Sequence, residues 1–232
     1  MSEMRFTEFD DRGVLDEQLA VDVAGALRDA ILLRGKATLV LSGGSTPKGF
    51  LVALARRELD WDKLFVTLVD DRWVASGHSD SNERLVQENL LTGVARAAHF
   101  LPIVTDAPHP ELALEVITEK LAGLGTADVM ILGMGGDGHF ASLFPDSAAL
   151  EAGLELQSGQ SFIAVDPPLA PHARMSMTLP RVFDTRRLIL HIVGDEKRAV
   201  LEQAAREKDP LRLPIAAVLN AVSPSLEVYW AA

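Results

Sequence analysis

The chain has 232 residues and no cysteine, which excludes disulfide scaffolds, thiolate nucleophiles and cysteine-ligated zinc. Its formal net charge of −11 argues against general nucleic-acid binding, which needs a basic surface. No apolar run approaches the length of a membrane span, and the acidic segment Met1–Asp10 is not a signal peptide. We therefore expect a cytoplasmic protein with neither nucleic acid nor membrane as a partner.

Helix-like and strand-like segments alternate along the chain, which is typical of parallel α/β architecture. Apolar residues at helical spacing predict a helix over Val14–Leu33, and Pro47 opens a second helix that runs to about Leu59. Further helices are predicted at Asp80–Leu91, Pro110–Leu124, Asp195–Glu207 and Pro214–Val222. Strands are predicted at Thr38–Leu41, Leu64–Val69, Ala127–Leu132, Phe162–Val165, Met175–Leu179, Leu188–Val193 and Leu226–Trp230.

This alternation has no linker-like interruption, so we expect a single domain over residues 1–232. The fold class is α/β: a mainly parallel central sheet with helices on both faces, in a Rossmann-like three-layer sandwich. Three of the predicted strands are followed by polar or glycine-rich segments, namely Ser42–Pro47, Asp70–Arg72 and Gly133–His139. Because the carboxyl ends of parallel strands share one edge of the sheet, we expect these segments to meet in one pocket.

The segment Gly133–His139 reads Gly-Met-Gly-Gly-Asp-Gly-His and carries the strongest catalytic signal. Its glycines permit close approach of the backbone, and histidine titrates near neutral pH. We predict that His139 is a general base and that Asp137 orients it or binds a hydroxyl. The structural alternative is a histidine that caps a short helix over Phe140–Phe144. The spacing also matches a dinucleotide fingerprint, but Pro145 interrupts the long helix that such a site needs.

The other two segments carry groups suited to an anion. Gly43, Gly44, Ser45 and Thr46 precede a helix and can form an anion cradle, although a capped strand-to-helix turn is an equally good interpretation. Arg72, Arg174 and Lys197 are cations at or near strand ends, and each is weak evidence alone. The remaining histidines show no metal-ligand spacing, so we expect no structural zinc; they are His78, His99, His109, His172 and His191.

Taken together, these segments resemble the 6-phosphogluconolactonases over essentially the whole chain. The block Gly133–Pro145 is the most specific part, and Arg174-x-Ser176-x-Thr178 and Gly194-x-x-Lys197 extend the match. Two departures lie beside the expected pocket: Asp71, where many members have Glu, and Ala75, where many have Pro.

The resemblance implies hydrolysis of 6-phospho-D-glucono-1,5-lactone in the oxidative pentose phosphate pathway, without cofactor, metal or covalent intermediate. It implies a small phosphosugar lactone as the partner, and we expect a monomer. His139 matches the family's base, and Arg72, Arg174 and Lys197 match basic positions around the sugar phosphate. Two alternatives stay open: an amino-sugar phosphate deaminase of the same fold, and a sugar-phosphate sensor without activity.

Overall fold

Strands and helices alternate along the chain, as the sequence predicts. The computed structural model describes residues 4–221 and 223–232; Met1–Glu3 and the predicted helix end at Val222 lie outside this range. The elements in chain order are β1 (Arg5–Phe9), α1 (Arg12–Arg34), β2 (Ala37–Leu41), α2 (Lys48–Ala55), β3 (Leu64–Leu68), β4 (Asp70–Arg72), α3 (Asn82–Asn89), β5 (His99–Phe100), α4 (Leu114–Ala122), β6 (Val129–Leu132), α5 (Leu150–Leu154), β7 (Phe162–Val165), β8 (Arg174–Met177), α6 (Leu179–Phe183), β9 (Leu188–Val193), α7 (Asp195–Glu207), α8 (Ile215–Leu219) and β10 (Leu226–Ala231).

The central sheet has seven strands in the order β1-β10-β9-β6-β2-β3-β5, and each neighbouring pair is parallel. Every residue of β2 and of β6 is buried. A strand buried on both sides needs cover on both faces of its sheet, which the helices provide. The predicted α/β sandwich with a mainly parallel central sheet is therefore confirmed.

A second, three-stranded antiparallel sheet in the order β4-β8-β7 was not predicted. Its strand β4 follows β3 after a single residue, and the predicted Met175–Leu179 strand is observed as Arg174–Met177. Strands this short carry too little alternation to be recognised from sequence. The small sheet matters because it contributes two arginines, Arg72 and Arg174, to the site described below.

The predicted long helices are largely confirmed, and their ends follow capping chemistry. The Asp11 side chain accepts from the backbone N–H of Val14 at the start of α1, and Gly35 ends it with φ 74°. The prediction that α2 extends to about Leu59 is wrong. The N–H groups of Arg56 and Arg57 bond to carbonyls three residues back, and the chain then leaves the helix.

The predicted helix Pro110–Leu124 is divided into a 3-10 turn at Pro110–Ala113 and α4. Short elements that the sequence did not indicate are β1, β5, α5 and α6. In the part of the chain that the structure describes, no helix has both the length and the apolar character to cross a bilayer.

Register in the central sheet brings the polar segments level with one another. Leu41 of β2 pairs with Leu68 of β3 on one side and with Ile131 of β6 on the other. The segments that follow these strands therefore leave the sheet side by side, at its carboxyl edge.

Candidate active site

A cavity of about 500 Å³ opens at this edge, and we call it the cleft. Its volume is in the range of small-molecule sites. The polar segments after β2, β3 and β6 all contribute to its wall, as the sequence predicts. Eight of the nine predicted site residues line it: Gly43, Gly44, Ser45, Thr46, Arg72, His139, Arg174 and Lys197. The ninth, Asp137, does not line the cleft but contacts His139.

Asp137 and His139 form a hydrogen-bonded pair in the segment that follows β6. The Nδ1 atom of His139 lies 2.6 Å from the Oδ1 atom of Asp137, which also accepts from the backbone N–H of His139 at 3.1 Å. The Asp137 side chain is 47% exposed and the His139 side chain is 29% exposed, so both reach solvent. The geometry is that of a carboxylate that fixes an imidazole.

Burial acts to raise the pKa of Asp137, but the hydrogen bond from His139 and the charge of that ring outweigh it and hold the pKa below its usual value. Asp137 is therefore ionised at neutral pH and can only accept hydrogen bonds. The proton of a neutral His139 then lies on Nδ1, and the Nε2 atom keeps a lone pair.

Gly135 makes room for this pair. A Cβ atom at this position would lie 2.2 Å from both Cε1 and Nδ1 of His139 and 2.6 Å from Oδ1 of Asp137. No side chain fits there without displacing the imidazole. The glycine is thus required by close approach, as the sequence suggested, and here the neighbour is the predicted base.

The chain beyond His139 is a tight turn in which Phe140 and Leu143 form an isolated antiparallel bridge. The alternative that His139 caps a helix over Phe140–Phe144 is therefore wrong. The Phe144 ring returns to the imidazole, with ring centroids 4.3 Å apart. The Ser142 hydroxyl donates to Oδ2 of Asp70 at 2.6 Å and ties the turn to the small sheet.

The turn Gly43–Thr46 offers backbone donors to the cleft. Its four N–H groups have no acceptor among residues 4–221 and 223–232. Its carbonyls at Ser45 and Thr46 accept from Arg12, each at 2.9 Å, so the turn is held from outside. Free N–H groups ahead of a helix favour an anion.

Asn82 covers the other side of this turn. Its Nδ2 atom donates to the Asp70 carbonyl at 2.8 Å, and a Cβ atom on Gly43 would lie 1.8 Å from its Oδ1 atom. Only glycine allows this approach.

The three predicted cations differ in how far they are already engaged. Arg174 donates to the carbonyls of Pro171 and His172, and burial, with the charge of Arg72, lowers its pKa. Arg72 donates to the Asp80 carbonyl at 2.6 Å, while its buried Nε atom has no partner among the described residues. Burial lowers the pKa of Lys197, which has no hydrogen bond or ion pair within the described residues. Arg72 and Lys197 are thus less engaged than Arg174, which uses two of its three nitrogen atoms.

Comparison with known proteins agrees with this geometry. A family model described as glucosamine-6-phosphate isomerases/6-phosphogluconolactonase matches residues 10–230. A 6-phosphogluconolactonase of Rhizobium meliloti is 42% identical over 96% of this chain and 97% of its own, and one of Pseudomonas putida is 42% identical over 96% and 91%. The crystal structure of a 6-phosphogluconolactonase from Shewanella baltica superposes with a TM-score of 0.96, at 38% identity and 99% and 98% coverage.

The chain belongs to this glucosamine-6-phosphate isomerase/6-phosphogluconolactonase family. The family resemblance expected from the sequence is confirmed, and so is its fold.

Within this family site, Asp71 proves not to be a cleft residue. It is fully buried and accepts the N–H groups of Arg72, Asn82 and Glu83 at 2.7 to 3.0 Å. Burial raises its pKa to about 6, against the effect of these donors. Asp71 fixes the start of α3. The presence of Asp rather than Glu at this position therefore affects how α3 packs and not the wall of the cleft.

Sequence reasoning missed a buried histidine in the wall of the cleft. His191 of β9 lines the cleft, is 2% exposed, and has no hydrogen-bond partner on either ring nitrogen among the described residues. Its Nε2 atom lies 3.4 Å from Oδ1 of Asp16, which is also buried without a hydrogen bond on that atom. The available signal was one polar residue inside the apolar run Leu188–Val193.

Proposed function

We propose that the chain is a 6-phosphogluconolactonase, which hydrolyses 6-phospho-D-glucono-1,5-lactone to 6-phospho-D-gluconate. The observation that supports this most is the shared cleft. An imidazole oriented by a carboxylate, a turn of free backbone N–H groups and two cations with unused donors all border one cavity. A phosphorylated cyclic ester has a carbonyl carbon that activated water can attack, a carbonyl oxygen that can accept from the N–H groups, and a phosphate for the cations.

In the proposed reaction, the Nε2 lone pair of neutral His139 takes a proton from water as the water attacks the lactone carbonyl carbon. Asp137 keeps the Nδ1 proton in place and stabilises the imidazolium that forms. General-base catalysis contributes typically about 10²- to 10⁴-fold. That range suits a lactone, an activated ester whose leaving oxygen stays tethered in the product.

The carbonyl oxygen gains negative charge in the transition state, and the N–H groups of Gly43 and Gly44 are its proposed donors. One such donor is worth about 3 kcal/mol. When the tetrahedral intermediate collapses, the C1–ring-oxygen bond breaks and protonated His139 returns its proton to that oxygen. Atoms balance as lactone plus water to open-chain acid.

We assign the phosphate to Arg72 and Lys197, together with the hydroxyl groups of Ser45 and Thr46. Among the described residues neither cation is in an ion pair with a carboxylate, and both make fewer side-chain hydrogen bonds than Arg174, so they have most to gain from an anion. Arg174 already donates to two carbonyls, so we place it beside the sugar.

The deaminase of the same family is the less favoured activity. Deaminases resemble this chain in the glycine-Asp-Gly-His turn, but they then carry a Glu that assists ring opening. Here that region reads Leu143-Phe144-Pro145, and the Phe144 ring lies against His139. An aromatic ring cannot transfer the proton that ring opening needs.

The test generates 6-phosphogluconolactone in situ and follows acid release above the spontaneous rate. Glucosamine 6-phosphate is supplied in parallel, with ammonia release as the readout. Acid release that scales with enzyme concentration supports the proposal. Ammonia release alone assigns the deaminase, and binding of phosphosugars without either product assigns the sensor.

A further inference from the structure

Three side chains with metal-binding atoms converge at the rim of the cleft, although no sequence spacing predicted them. They are His78 and Asp80, on the segment between β4 and α3, and His172, just before β8. One ligating atom from each lies within 4.8 Å of the other two. The Oδ2 atom of Asp80 is central, 3.1 Å from Nε2 of His172 and 4.0 Å from Nδ1 of His78.

These separations suit one small dication. Zinc binds imidazole nitrogen and carboxylate oxygen at about 2.0 to 2.2 Å, so that tetrahedral ligands lie about 3.3 Å apart. The two distances to Asp80 fall on either side of that value. All three side chains are 30% to 45% exposed, which leaves the rings free to adjust.

The three side chains also have suitable chemistry for a metal ligand set. Two imidazoles and a carboxylate form a donor set that suits zinc, nickel or cobalt rather than calcium or magnesium. The Nδ1 lone pair of His78, which now accepts the Asp80 N–H at 3.1 Å, is the one that an ion would take over.

We propose that His78, Asp80 and His172 bind a single transition-metal dication such as Zn²⁺, with water completing its coordination. Because Asp80 and His172 line the cleft, the ion lies at its entrance. It bridges the segment before α3 to the segment before β8. The Asp80 carbonyl also accepts from Arg72, so a bound ion fixes the backbone that orients this cation.

This proposal does not rest on the proposed hydrolysis, in which the ion itself takes part in no step. The nearest competing explanation is a plain ion pair, in which Asp80 and His172 fasten the two segments together and no ion enters. The rings of His78 and His172 lie edge to face with centroids 5.3 Å apart. This contact is compatible both with a bound ion and with an ion pair alone.

The test uses untagged full-length protein treated with a chelator and then dialysed. Zn²⁺ is titrated calorimetrically, and Co²⁺ is titrated by absorption, because its d–d bands report the coordination geometry. We expect one site per chain and a thermal midpoint that rises with Zn²⁺ concentration. H172A and D80N each weaken Zn²⁺ binding by at least about tenfold.

The matched control is H99A, which removes an exposed histidine with no carboxylate partner among the described residues. It binds Zn²⁺ as the unaltered chain does. Absence of a one-to-one site, or equal affinity in H172A, D80N and H99A, overturns the proposal. If H172A lowers the thermal midpoint while Zn²⁺ leaves the unaltered chain unaffected, the contact is an ion pair only. None of these readouts depends on lactonase activity, so the two proposals fail separately.

Discussion

Of the three Asp–His pairs at the cleft, Asp137–His139 and Asp16–His191 differ most in their exposure to solvent. Asp137 and His139 are in a hydrogen-bonded contact of 2.6 Å at a solvent-exposed turn. Asp16 and His191 are 3.4 Å apart and nearly sealed, with His191 on a central strand of the parallel sheet. Burial, followed by the charges of Arg12 and Lys197, lowers the pKa of His191 to about 3.

The difference shows that hydration decides what a histidine can do. A buried imidazole without a hydrogen bond does not hold a proton at neutral pH, because the charged form has lost its solvent. His139, by contrast, lies beside an ionised carboxylate and keeps contact with solvent. Of these two histidines, His139 is therefore the one that we propose as the general base.

The largest expected effect comes from removing that base. H139N should lower kcat by about 10²- to 10⁴-fold with little change in KM, because the proton acceptor is lost while the cations remain. The measurement is acid release from lactone generated in situ, corrected for spontaneous hydrolysis. H99A is the control for loss of a surface histidine. Near-normal turnover in H139N would contradict the assignment of His139, rather than His191, as the general base.

A glycine substitution tests the geometry of the exposed pair without removing either member. The Cβ atom of G135A would lie 2.2 Å from the imidazole and force it away from Asp137. A displacement of about 1 Å can cost about 10²-fold in rate, so we expect a loss of that order. G136A is the matched control, since its Cβ atom meets nothing within 4 Å. Equal kcat in both variants contradicts the requirement for close approach.

The charges around the cleft give the next effect. K197A should raise KM about tenfold to a hundredfold, since a hydrogen bond to a charged group contributes about 1.5 to 3 kcal/mol. R72A is expected to act in the same direction. K120A removes an exposed lysine that, within the described part of the chain, donates only to the Pro102 carbonyl, and its KM should not change. An unchanged KM in both K197A and R72A places the phosphate elsewhere.

The smallest effect concerns the buried pair and appears in stability. Between pH 3 and 6.5 the unfolded chain protonates His191 and the folded chain does not, so this residue makes stability fall as pH falls below 6.5. The loss is at most about 1.4 kcal/mol for each pH unit. H191L removes it, so its stability should decline less between pH 6.5 and 4.

Urea unfolding of H191L and the unaltered chain at several pH values measures this difference. Asp71, whose pKa is raised to about 6, acts in the opposite sense, because the folded chain keeps that proton longer as pH rises. Both proteins contain Asp71, so its effect cancels in the comparison. Parallel stability curves for the two proteins contradict the lowered pKa of His191.

Much of the fold followed from local patterns. The capped helix α1 and the buried strands β2 and β6 were predicted within one or two residues, because apolar periodicity and caps act over short distances. The small antiparallel sheet was not predicted, because its strand β4 has only three residues. The end of α2 was misplaced because its last turn tightens into 3-10 bonds that no residue type announces.

The site divides in the same way. The sequence by itself determined which candidate residues lie in glycine-rich segments after strands, such as His139 and the Gly43–Thr46 turn, because motif and strand end are neighbours in the chain. Only the tertiary structure decided that His191 is dehydrated and that His172 meets Asp80, since those environments join residues far apart in sequence. Burial and long-range proximity are properties of packing, and packing sets the pKa values and contacts that distinguish one histidine from another.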